Sequence, residues 1–147
     1  MSGSVVQVHA ALQLLAFLVF FPLGSIFALY RESIGSSWFI FHVTFQTLGT
    51  LSVAIAVALI VSHARKERRA KPDAKAKVKP ESLTKRLHRA NGYLLVSVLA
   101  LQSVWALVMR RYVDWGIWLT THMTLAGLLL VLGIIQITLG IIMFSAK

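Results

Sequence analysis

Residues 38–63 read WFIFHVTFQTLGTLSVAIAVALIVSH, and residues 64–89 read ARKERRAKPDAKAKVKPESLTKRLHR. The first run has no charged residue and exceeds the roughly 20 apolar residues that cross a hydrocarbon core. The second holds eleven of the fifteen Lys and Arg residues of the chain, from Arg65 to Arg89. Outward from this pair the alternation repeats. The chain is charge-free over residues 1–30, 33–64, 90–109 and 115–146, and Arg31, Glu32, Arg110, Arg111 and Asp114 mark the other breaks. This predicts an all-α fold of four transmembrane helices at 6–30, 38–63, 88–109 and 116–143, with a basic loop over 64–87, in one domain spanning residues 1–147.

Composition agrees. Hydrophobic residues make up 57% of the chain and charged residues 14%. Soluble domains carry about a quarter charged residues, and disordered tails are polar, so both classes are excluded. The chain has no cysteine, which removes disulfides, iron–sulfur clusters, thiolate zinc sites and covalently attached c-type haem. The first helix lacks a positive leading segment and is too long for a signal peptide.

The net charge of +10 belongs mostly to the loop. Pro72 and Pro80 break helices there. The loop has no aromatic residue, so it does not resemble a nucleic-acid surface, and no nucleic-acid partner is expected. Anionic lipid headgroups are a secondary partner of the right charge. The positive-inside rule places the loop in the cytoplasm. Four crossings then put both termini on that side, with twelve positive residues against Arg31, Arg110 and Arg111 on the other.

Four of the five histidines occupy comparable places. His9, His42 and His88 lie near the starts of the first three predicted helices, and His122 lies about two turns into the fourth. An ionisable residue inside a membrane segment is costly and is a functional candidate. Helices 1 and 3 start on the loop side, and helices 2 and 4 start on the opposite side. His9 and His88 therefore belong to one membrane face, and His42 and His122 to the other. In an up-down-up-down bundle, helices 1 and 3 are diagonal neighbours, as are 2 and 4. Such pairs suit two non-covalent b haems with bis-histidine ligation, which favours electron transfer because no iron position is open. Zinc or copper sites gather three or four ligands at one place and fit less well. Interhelical hydrogen bonding of the histidines stays open. His63 ends helix 2 without a matching partner and reads as a solvated interfacial residue.

Gln13 and Gln46 follow His9 and His42 by four residues; Gln102 and Gln136 follow His88 and His122 by fourteen. Buried amides need partners, so these read either as helix–helix contacts or as supports beside a haem. Gly92 and Gly127 lie about a turn beyond His88 and His122. They make room for a porphyrin or for close helix packing. Pro22 is expected to bend helix 1, with Ser or Thr hydroxyls satisfying the released carbonyl.

His9-Ala10-Ala11-Leu12, Phe21-Pro22-Leu23-Gly24 and Trp38-Phe39-Ile40-Phe41-His42-Val43 with Gln46 and Gly49 resemble the first half of the cytochrome b561 core. The likeness is to the version attached to DOMON domains. Leu87-His88, Gly92-Tyr93, Gln102, and His122 with Gly127, Gln136 and Gly140 resemble the second half. The resemblance covers nearly all of the chain except the basic loop. It implies a four-helix core with two b haems, held by His9 with His88 and by His42 with His122. It also implies one-electron transfer across a membrane, from ascorbate or another small reductant to monodehydroascorbate or a ferric chelate. Ala28-Leu29-Tyr30-Arg31 is similar to a segment near one substrate site of the family and makes Arg31 an anion contact. The donor motif Ser-Leu-His-Ser-Trp is here Arg86-Leu87-His88-Arg89-Ala90. Family members usually have five or six helices and start the first core helix on the non-cytoplasmic side, opposite to the charge count here.

Lys85, Arg86 and Arg89 flank His88 and are expected to attract an anionic reductant; Arg31, Arg110 and Arg111 would serve an acceptor. Snorkelling and anchoring explain the same residues without a substrate. Trp38, Trp115 and Trp118 fit an interfacial aromatic belt. Whether the chain is itself an ascorbate- or ferric-reductase-like oxidoreductase stays open. Two other readings remain: a haem-bearing anchor or relay subunit for a separate oxidoreductase, and a non-haem transporter or scaffold. A homodimer is one arrangement left open.

Overall fold

The computed structural model describes residues 3–70 and 81–145. The middle of the basic loop, with Pro72, Pro80 and four of its lysines, lies outside the described residues, as do the chain ends. Every described element is helical: α1 (Gly3–Leu15), a π turn (Ala16–Phe20), α2 (Phe21–Leu29), α3 (Arg31–Ile34), α4 (Trp38–Ala70), α5 (Leu83–Leu107) and α6 (Trp115–Ser145), with short 3₁₀ turns at Gly35–Ser37 and Met109–Arg111. Among the described residues, four helical segments are long and apolar enough to cross a membrane: Gly3–Leu29, Arg31–Ala70, Leu83–Arg111 and Trp115–Ser145. This is the architecture of a multi-pass membrane protein. The segments group into two compact units, Met1–Lys79 and Pro80–Lys147.

The first unit is a helical hairpin. α1, the π turn and α2 form one continuous span that packs antiparallel on α4, since His9 bonds to Ala56 and Gly24 to His42. The π turn has a local cause. Pro22 has no N–H, and its ring crowds the carbonyl four residues back. The helix widens just upstream, where Phe21 N–H bonds to Ala16 O five residues earlier. Pro22 thus follows directly on one wide turn of the helix. Tyr30 leaves helical geometry after α2, and Gly35 turns the chain with φ +74°, a conformation that suits glycine.

Helix α4 is 33 residues long, about 50 Å at 1.5 Å per residue. A hydrocarbon core is about 30 Å thick. The helix therefore continues beyond its apolar run into Arg65–Arg69, and α5 starts five residues before His88. Both helices reach further into the basic segment than apolar length indicates. Their charged turns can still propagate helix, because each added residue gains a backbone hydrogen bond without a new nucleation cost.

The second unit pairs α5 with α6. Ser82 caps α5, its hydroxyl accepting from Lys85 N–H. Asp114 caps α6 by accepting from the N–H groups of Gly116 and Ile117. Asn91 bonds to Leu132 O, and Trp105 and Trp118 bond to one another's backbone, so this pair is antiparallel as well.

Large apolar side chains such as Leu18, Ile40 and Ile134 are exposed. Lipid tails supply the solvent such a surface matches. Hydroxyls turn inward on their own helices instead: Thr50, Ser52, Ser97, Ser103, Thr124 and Thr138 each donate to a carbonyl four residues earlier.

Gly49 lets the Phe21 ring lie against α4. A Cβ at Gly49 would come within 2.5 Å of that ring. Gly49→Ala should therefore destabilise the fold by about 1–3 kcal/mol, measured by unfolding in detergent. Adding Phe21→Leu should recover part of the loss.

Candidate functional site

The four histidines are all half-buried, and each is tied to its own hairpin. In the first unit, His9 Nδ1 donates to Ala56 O at 3.0 Å, and His42 Nδ1 donates to Gly24 O at 2.8 Å. A carbonyl only accepts, so both rings carry a proton on Nδ1. This is the arrangement of a metal-binding imidazole, whose other ring N–H is held by a backbone carbonyl or carboxylate.

The second unit treats its histidines differently. Gln136 Nε2 lies 3.0 Å from His88 Nε2. Gln102 Nε2 lies 3.1 Å from His122 Nδ1 and donates to His122 O at 3.2 Å. A ring nitrogen engaged by an amide is not poised for iron. As they stand, His88 and His122 do not match a haem ligand without release of these glutamines.

The expected glutamine role is thus resolved into particular bonds. Gln46 donates to Phe21 O at 3.5 Å, and Gln102 and Gln136 bind histidines. Gln13 is buried, with no partner for its Oε1 among the described residues. Gly92 faces Gln136, where an added Cβ would sit 3.2 Å from Nε2. Gly127 has nothing within 4 Å of an added Cβ among the described residues, and Gly140 faces His88.

The basic residues are partly committed. Lys85 lies 3.6 Å from Glu81 in ion-pair contact, and Arg89 binds the same carboxylate. That pairing lowers the positive field available beside His88. Arg86, Arg31 and Arg111 are exposed. Arg110 places its guanidinium 4.4 Å from the Trp115 ring centre and 5.6 Å from that of Trp118, a cation–π arrangement. His63 reaches Glu67 at 3.2 Å, one turn along α4. Among the described residues, no three His, Asp or Glu side chains gather as a metal cluster.

Composition and spacing did not single out Asn91, Glu81 or the Trp105–Trp118 pair. Trp105 Nε1 donates to Trp118 O at 3.0 Å, and Trp118 Nε1 donates to Trp105 O at 3.1 Å. Trp118 also stacks on His122, with ring centres 5.0 Å apart and planes 8° from parallel, and on Trp115 at 5.1 Å. The Trp-to-His spacing of four was legible, since residues at i and i+4 share a helix face. Trp38 and His42 repeat it at 6.3 Å. The reciprocal indole bonds depend on the hairpin register and had no sequence signal.

No family model, curated protein or solved structure matches the chain.

The reciprocal bonds predict coupled energetics. Trp105→Phe and Trp118→Phe should each cost about 1 kcal/mol, and a double-mutant cycle should give a non-zero coupling. Unfolding in detergent provides the measurement; additive losses would show that the two bonds form independently.

Proposed function

We propose that the chain transfers electrons across a membrane with two non-covalent b haems. The observation that carries this reading is the pair of carbonyl-held imidazoles, His9 and His42, each oriented at Nδ1 by a backbone acceptor, as metal-binding imidazoles commonly are. The four long apolar helices and the resemblance to the cytochrome b561 core support it. Following helix direction, His9 would pair with His88 and His42 with His122. Each haem would then have one ligand already oriented by a backbone carbonyl and one that a glutamine must release. A bis-histidine b haem supplies a one-electron centre with no open coordination position. The chain's own work is to orient imidazoles, exclude water with apolar helices, and present charge at the ends. Arg110, Arg31 and Arg86 are the cations suited to small anionic redox partners. Ascorbate and monodehydroascorbate belong to that class, as do ferric chelates. Relay to a separate oxidoreductase uses the same centres.

The glutamine bonds to His88 and His122 favour a second reading, in which these histidines join helices in a non-haem transporter or scaffold. A reduced-minus-oxidised visible spectrum with a haem count separates the two. The electron-transfer reading expects two low-spin b haems per chain. His88→Ala should remove one and spare the other; a colourless, well-folded protein would sink the haem reading.

The charge distribution supports an orientation with the basic segment in the cytoplasm. The chain has no cysteine, so single cysteines report topology cleanly. Ala70→Cys should react with a membrane-impermeant maleimide only after the cytoplasmic face is opened. Val113→Cys should react in intact cells. The reverse pattern would invert the assignment.

A further inference from the structure

We propose that the second hairpin holds its two histidines in opposite neutral tautomers, with Asn91, Gln136 and Gln102 as the positioning residues. The proton positions follow from groups that can only accept. Leu132 O accepts from Asn91 at 2.9 Å, so the Asn91 atom there is the amide nitrogen. That same nitrogen lies 2.8 Å from Gln136 Oε1 and donates to it. The orientation of Gln136 is then set, and its nitrogen is the atom 3.0 Å from His88 Nε2. An amide nitrogen is a donor and not an acceptor. His88 Nε2 must therefore accept, and the His88 proton sits on Nδ1.

The other end of the hairpin runs the same logic to the opposite result. His122 O accepts from Gln102 Nε2 at 3.2 Å, which sets the Gln102 amide. The same nitrogen lies 3.1 Å from His122 Nδ1. Nδ1 accepts, so the His122 proton sits on Nε2. Turning either amide over would set oxygen against a carbonyl oxygen or nitrogen against a donor.

The two positions are thus chemically different. His88 offers its basic nitrogen at Nε2, with Gln136 seated on it. His122 offers its basic nitrogen at Nδ1, with Gln102 seated on it, and carries N–H at the outer ring position. Resting on the haem reading, His88 would hold an iron through Nε2 only once Gln136 has left it, whereas His122 would hold one through Nε2 only if its proton also moved. Gln136 then acts as a competitor for haem, and the His88 site loads more readily than the His122 site.

Nitrogen-15 NMR of the full chain in lipid nanodiscs, labelled in the histidine rings and prepared without haem, tests the assignment. Wild type should show protonated Nδ1 at His88 and protonated Nε2 at His122. Gln136→Glu, followed to alkaline pH where the carboxylate is ionised and only accepts, should reverse the His88 tautomer while leaving His122 unchanged. Gln136→Leu and Asn91→Ala should weaken the tautomer bias at His88 by roughly tenfold. Identical tautomers at both positions, or a His88 tautomer indifferent to all three substitutions, would overturn the inference. Haem titration of the same samples should show roughly tenfold tighter uptake in Gln136→Leu; unchanged uptake would overturn the competitor role. Absence of uptake in every sample would instead sink the haem reading, and the tautomers would still decide the positioning role.

Discussion

Hydrocarbon offers no hydrogen bonds, so polar groups inside a membrane span must be paired within the protein. The rest of this structure depends on that constraint. Serine and threonine hydroxyls fold back on their own helices. Histidines and glutamines cannot do so as readily with their long or planar side chains, and they reach across to the other helix of their hairpin. His9 crosses to Ala56, His42 to Gly24, and Gln136 to His88. Each of these bonds ties one helix of its hairpin to the other at a fixed level.

The hairpins satisfy the constraint by different chemistry. The first uses backbone carbonyls, which accept and nothing else. The second uses amide side chains, which both donate and accept and so pass polarity from one group to the next. In the second hairpin a chain from Leu132 O through Asn91 and Gln136 ends on His88. Under the proposed redox role, the carbonyl-held rings would keep their Nδ1 partner, while His88 would have to lose Gln136. The proposed redox role therefore has an inherent inequality between the ligands of each pair.

Charge follows the same economy at the helix ends. Glu81 engages both Lys85 and Arg89, and Arg110 lies over two indoles. Surface cations that look alike in sequence are thus unlike in the field they project. Lys85, Arg86 and Arg89 are all exposed, but Lys85 and Arg89 share one carboxylate.

Charge-free length alone determined that the chain has four apolar helices, because crossing hydrocarbon demands an unbroken apolar run. Helical spacing likewise exposed the histidines and the glutamines as residues of one kind of position. Where α4 and α5 end in the basic segment was not legible from apolar length, since a formed helix propagates into charged turns. Only the tertiary structure decided which atom each polar group meets. Asn91 sits in an ordinary polar position in sequence, yet it orients Gln136 and through it His88. Such assignments follow from which residues two antiparallel helices bring level. That register arises from packing contacts such as Phe21 on Gly49, which a single strand of sequence does not contain.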